Sequence, residues 1–233
     1  DLAPKSPEEL AELAEEWRTA GYDREIFMAT GARRLARAPE EIEALVPGLI
    51  FRGKVHLLLA AAGTGKSTLA HELAFKLGAR MRPGSEPLTW CGQPLRRDTK
   101  PGVVRFFSGE DGADIVAARD RALAGAGIGD NGLTVIPANR IKLIGFVRRL
   151  QGAKRGDPGV PDLVIIDPAR TFLDGNEDQS ENVGSWLGEL VELAASTGAA
   201  VLVLHHLAKN ARPRSLEEVK QACRGSSVWI DRP

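Results

Sequence analysis

Two uninterrupted apolar runs, Leu163-Val164-Ile165-Ile166 and Val201-Leu202-Val203-Leu204, constrain the fold of this chain more than any other feature. Successive side chains of a strand point to opposite faces, so a run without a polar interruption has no face to give to water. Such strands belong in a parallel sheet covered by helices on both sides. The rest of the chain agrees with this. Strand patterns fall at residues 55–60, 103–108, 133–136, 163–166 and 200–204, and helical patterns near 67–77, 113–124, 141–150 and 183–195. The alternation predicts an α/β domain with a mostly parallel sheet and helices on both faces. Ligands of such sheets bind beyond the carboxyl ends of the strands, so the residues that follow each apolar run are the ones to read for chemistry.

After the first strand pattern the chain reads Ala60-Ala61-Ala62-Gly63-Thr64-Gly65-Lys66-Ser67-Thr68, and Leu69, Leu73 and Leu77 then recur at helical spacing. Strand, glycine-punctuated turn and helix in that order let backbone N–H groups converge on one point, in front of the positive end of the helix dipole. The natural occupant is a phosphate. Residues Ala61 to Thr68 are the candidate cradle for ATP, with Lys66 supplying a positive charge to the β- and γ-phosphates and Ser67 a hydroxyl for Mg²⁺. The full phosphate-loop pattern places a glycine where this chain has Ala60. A methyl group is compatible there provided the backbone keeps φ negative.

The other strand ends supply further candidates. Asp167 closes the 163–166 run and, in a chain with a phosphate loop, is the expected Mg²⁺ partner of Ser67. Glu110 and Asp111 follow the 103–108 run; Glu110 is placed to orient a water against the γ-phosphate, with a cap for the helix beginning near Ala113 as the lesser reading of the pair. His205 and His206 follow the 200–204 run, and because neighbours on a strand point to opposite faces only one of them should face a nucleotide. A polar strand end without a role reads equally well for either one alone. No third ligand lies near them, which disfavours zinc.

Composition limits the partners. With 43% hydrophobic and 27% charged residues the chain suits one sizeable globular domain with a small appendage. Lys plus Arg and Asp plus Glu both number 31, so no overall field draws a polyanion and any nucleic-acid contact has to be local. Cys91 and Cys223 lack metal-ligand spacing and read as reduced thiols. No segment has the length of a membrane span and the first residues do not resemble a secretory leader, so a soluble, cytoplasmic protein without a membrane partner is expected. Ser6-Pro7-Glu8-Glu9 opens a helix carrying Leu10, Leu13 and Trp17; a second helical stretch covers about residues 23–37, and Pro39-Glu40-Glu41 opens a third. The expected division is therefore a helical extension over 1–46, a docking arm or a lid, and a nucleotide-binding domain over 47–233.

The blocks AAAGTGKS, FFSGEDG, LVIIDPARTF, LVLHHLAK and QACRGSSVWID, in this order, resemble those of the RecA-like P-loop ATPases, and most closely the RepA-type hexameric replicative helicases of plasmids. The resemblance spans about residues 55–231 and leaves the helical extension outside. It implies a RecA-like core and a homohexameric ring that hydrolyses ATP with Mg²⁺ at subunit interfaces while moving on single-stranded DNA. It further implies that Lys66, Ser67 and Asp167 hold the nucleotide and its metal, that Glu110 activates water, that His206 senses the γ-phosphate, and that Arg224 reaches into the neighbour's site with Arg119 assisting. The family's channel-facing loop corresponds to the basic stretch with Lys209, Arg212 and Arg214, and the family continues with further strands beyond the position of Pro233. A nucleotide-dependent switch of the same fold, or a recombination or regulatory ATPase without helicase activity, is the alternative.

Overall fold

The apolar runs form one five-stranded sheet in a computed structural model of the chain, which describes residues 43–79, 86–95, 101–125, 133–137, 143–173 and 175–208, together with 211, 213, 215, 218, 219, 222, 223 and 229. Its strands are β3 (Val55–Ala60), β6 (Val104–Ser108), β7 (Leu133–Pro137), β8 (Leu163–Asp167) and β9 (Ala200–His206), in the order β3-β9-β8-β6-β7. Every neighbouring pair is parallel, so all five carboxyl ends lie along one edge. Helices α1 (Lys66–Gly78), α2 (Ala113–Gly125), α3 (Leu143–Arg149), α4 (Ala169–Phe172) and α5 (Ser180–Thr197) alternate with them. The fold is the α/β, RecA-like arrangement expected from the sequence.

Alternation along the strands divides the core in two. Val164, Ile166, Val201 and Val203 pack with Leu187, Leu190 and Leu193 of α5 and with Leu143 and Val147 of α3. Leu163, Ile165, Leu202 and Leu204 pack on the other face with Ala70, Leu73 and Leu77 of α1. Each such side chain contributes about 1.5–3 kcal/mol by leaving water, so the central strands β8 and β9 anchor the sheet that carries the site.

Two short hairpins depart from expectation. Ala44–Val46 is a strand, β1, paired with β2 (Ile50–Phe51), where the third helical segment was expected to run to residue 46. All three residues of β1 are buried, with Leu45 and Val46 in the α1-side core, and Pro47-Gly48 turns the chain. Gly48 has φ of 73° and Leu49 N–H donates to the Val46 carbonyl at 3.0 Å, the arrangement of a type II turn. Strands β4 (Thr89–Trp90) and β5 (Gln93–Pro94) form the second hairpin, around Cys91 and Gly92 with φ of 48° and 76°. Both cysteines are free, Cys91 exposed and Cys223 buried, and burial pushes the Cys223 thiol up to about 11. Trp229 is helical. The two earlier helices expected before residue 38 lie outside the described residues, and no helix among the described ones is long and apolar enough to cross a membrane.

Candidate active site

The loop from Ala61 to Gly65 leaves β3 at the carboxyl edge, and α1 begins at Lys66. Gly63 and Gly65 have φ of 73° and 88°, in the region that glycine alone enters freely. Nothing lies within 4 Å of where their Cβ atoms would be, so backbone conformation, not crowding, calls for glycine. Ala60 is not among the described non-glycine residues of positive φ, a set holding Cys91 alone. The methyl group in place of the usual first glycine is therefore unstrained. Thr64 Oγ1 donates to the Ala61 carbonyl at 2.8 Å and braces the turn, while residues 62–65 and Thr68 stay exposed.

Lys66 is 7% exposed, and its Nζ donates to the carbonyls of Ala60 at 2.9 Å and Ala61 at 2.8 Å and meets His206 Nδ1 at 3.2 Å. Burial holds its ammonium below the usual lysine range, opposed by the charges of Asp167 and Glu110. Strand parity explains which histidine it meets. His206 follows Leu202 and Leu204 on the α1 face and pairs in register with Ala60; His205 follows Val201 and Val203 on the opposite face, where it is 1% exposed and stacks on Trp229 at 4.4 Å.

Asp167 ends β8 opposite Ser108 of β6 and is 6% exposed. Burial raises its pKa from 3.8 to about 6; a hydrogen bond from Ser67 opposes the rise, and the nearby carboxylates of Asp111 and Glu110 add to it. A buried carboxylate joined to a helix-start hydroxyl and crowded by two further acids favours a cation. Among the described residues no group of three or more His, Cys, Asp or Glu could hold a metal by itself. That donor set fits Mg²⁺, which is commonly held by one or two protein oxygens, with water and substrate phosphates filling the other positions.

Glu110 is exposed at the mouth of the site, and Arg119 forks onto both oxygens of Asp111. The turn carrying Glu110 is pinned by its neighbour, because Gly109 N–H donates to the Asp167 carbonyl at 2.7 Å. A Cβ at Gly109 would fall 2.7–2.8 Å from the Thr171 side chain, closer than atoms pack. Gly109→Ala is therefore expected to lower stability by about 1–3 kcal/mol through overpacking and to slow ATP turnover. Thermal unfolding and phosphate release check this, and an unchanged melting temperature would contradict it.

Lys66, Ser67, Asp167, Glu110, Arg119 and His206 thus lie along the carboxyl edge, whereas Lys209, Arg212, Arg214 and Arg224 lie outside the described residues. Two features of this region were not read from the sequence. Ser108 buries an Oγ with no hydrogen-bond partner among the described residues, directly opposite Asp167. His71 of α1, 1% exposed, meets Asp120 of α2 at 2.7 Å. The polar end of the 103–108 run could have flagged Ser108; no local pattern announces His71. Comparison with protein-family models matches residues 23–212 to the AAA domain, a stretch that contains every strand of the parallel sheet.

Proposed function

The chain belongs to the AAA domain family and is a P-loop ATPase-type domain; on that premise we propose that it forms a hexameric ring that hydrolyses ATP between subunits to move along single-stranded DNA in replication of a plasmid or other mobile element. The observation that carries the catalytic part is the contact of Lys66 with His206 at the end of β9, the strand lying between the phosphate-loop strand and the Asp167 strand. A group there adjoins the lysine on the strand next to the one that Asp167 ends.

In this reading the backbone N–H groups of residues 61–68 cradle the phosphates, and the Lys66 ammonium leaves the Ala60 and Ala61 carbonyls for the β- and γ-phosphates. Ser67 and Asp167 hold Mg²⁺, which supplies charge neutralisation on the phosphates. Glu110 orients the attacking water, since phosphoryl transfer is driven by positioning and electrostatics. His206 exchanges its contact with Lys66 for one with the γ-phosphate. Arg224 of the neighbouring subunit, with a planar fork suited to phosphate oxygens, completes the site, and Arg119 holds the acidic turn. Lys209, Arg212 and Arg214 track the DNA backbone.

The DNA part has its own test. Single-stranded DNA is expected to raise phosphate release, the effect to fade with added salt as counterion release requires, and combined replacement of Lys209, Arg212 and Arg214 by alanine to remove it. Hydrolysis indifferent to DNA in the wild-type chain would instead favour the nucleotide-dependent switch, which equal totals of 31 basic and 31 acidic residues suit.

A further inference from the structure

Helix α2 follows directly from the turn that carries Glu110 and Asp111, yet none of its thirteen residues is buried. Ile115 is 43% exposed, so apolar packing does little to fix the helix. Two consecutive residues fix it instead. Arg119 reaches back to both oxygens of Asp111, and Asp120 accepts from His71 Nε2 at 2.7 Å. His71 lies in α1, the helix that Lys66 begins, and its ring packs 5.7 Å from that of Phe106 in β6, the strand that leads into Glu110. Asp120 is the accessible partner at 41% exposure, while His71 is buried among three elements.

We propose that His71 and Asp120 form a positioning pair that docks α2 against the phosphate-loop helix and so sets the reach of Glu110 toward the water. Through it the helix that binds phosphate and the turn that orients the nucleophile move as one piece. The inference rests on the reading of Glu110 as the water-orienting acid. Misplacing such a group by about 1 Å costs up to about 100-fold in rate, and the loss appears in kcat, because the phosphate cradle itself is untouched.

The test compares four variants of the full chain, Asp120→Ala, Asp120→Asn, Glu110→Gln and the double Asp120→Ala/Glu110→Gln, by steady-state ATP turnover and by single-turnover cleavage of γ-labelled ATP. Asp120→Ala is expected to lower kcat about tenfold at unchanged KM, with Asp120→Asn, which keeps an acceptor for His71, recovering most of the rate. In the Glu110→Gln background the same alanine is expected to cost less than about twofold, since the group it positions is already disabled. A full kcat for Asp120→Ala, an equal loss in both backgrounds, or a loss carried by KM would overturn the pair's positioning role. Undiminished turnover in Glu110→Gln alone would overturn the reading of Glu110 instead, so the two failures are distinguishable.

Discussion

Replacing Lys66 by alanine is expected to slow phosphate release from ATP by at least about 10²–10³-fold, the usual cost of removing one preorganised electrostatic group from an active site. The side chain is 7% exposed and three groups hold its ammonium: two backbone carbonyls and the His206 ring. Those carbonyls belong to Ala60 and Ala61, at the start of the turn where phosphates are expected. The charge is thus stored beside its place of use, and a phosphate oxygen is a stronger partner for it than a neutral carbonyl. Lys66→Arg keeps the charge but carries a rigid fork in place of a compact ammonium; its turnover should fall between wild type and alanine. Phosphate-release assays at saturating ATP, with circular dichroism to verify folding, settle the order. Undiminished turnover in the alanine variant would remove Lys66 from the mechanism.

Asp167→Asn should move activity and stability in opposite directions. The folded-state pKa of Asp167, about 6, lies above the ordinary 3.8 because burial penalises the carboxylate. A group whose folded pKa is raised binds its proton more tightly in the native state. Its favourable contribution is complete below pH 3.8 and is lost as pH rises through 6. At about 1.4 kcal/mol per pKa unit the nucleotide-free protein carries a burden of up to about 3 kcal/mol at pH 8. Asparagine has no charge to desolvate and can still accept from Ser67. The variant should therefore melt higher than wild type at pH 8 without metal, and the advantage should shrink toward pH 5. Mg²⁺ should narrow the gap by stabilising only the carboxylate, while turnover of the variant falls by about 10² or more. A lower melting temperature for Asp167→Asn at pH 8 would mean that the buried carboxylate is a net stabiliser, contrary to the balance of its surroundings.

Much of this arrangement was legible because burial leaves a signature in long apolar runs. Strand β8 covers residues 163–167 and β9 covers 200–206, against runs ending at 166 and 204. The extra residues, Asp167, His205 and His206, are polar and break the run without breaking the strand. Their side chains find partners at the edge of the sheet. Parity limited the nucleotide-facing position to one of the two histidines, and His206 is the one whose ring meets Lys66.

Short elements were illegible for a different reason. Three residues of β1 carry no period, and the helix-opening pattern at Pro39 offers no competing stop before Pro47. The turn between β4 and β5 takes positive φ at Cys91 and Gly92, a type I′ geometry that Asn-Gly usually announces; Cys-Gly does not. The His71–Asp120 pair joins residues 49 apart through the packing of two helices, and no local pattern foretells such a meeting. Gly109 carries no local signal either, since the Thr171 side chain that crowds it lies 62 residues on in the sequence.

The most direct measurement is a crystal structure of the chain with Mg²⁺ and a non-hydrolysable ATP analogue. The triphosphate is predicted to lie on the backbone N–H groups of residues 61–68, with Lys66 Nζ withdrawn from the Ala60 and Ala61 carbonyls onto a phosphate oxygen. An analogue bound elsewhere, or a Lys66 still seated on both carbonyls beside a bound nucleotide, would contradict it.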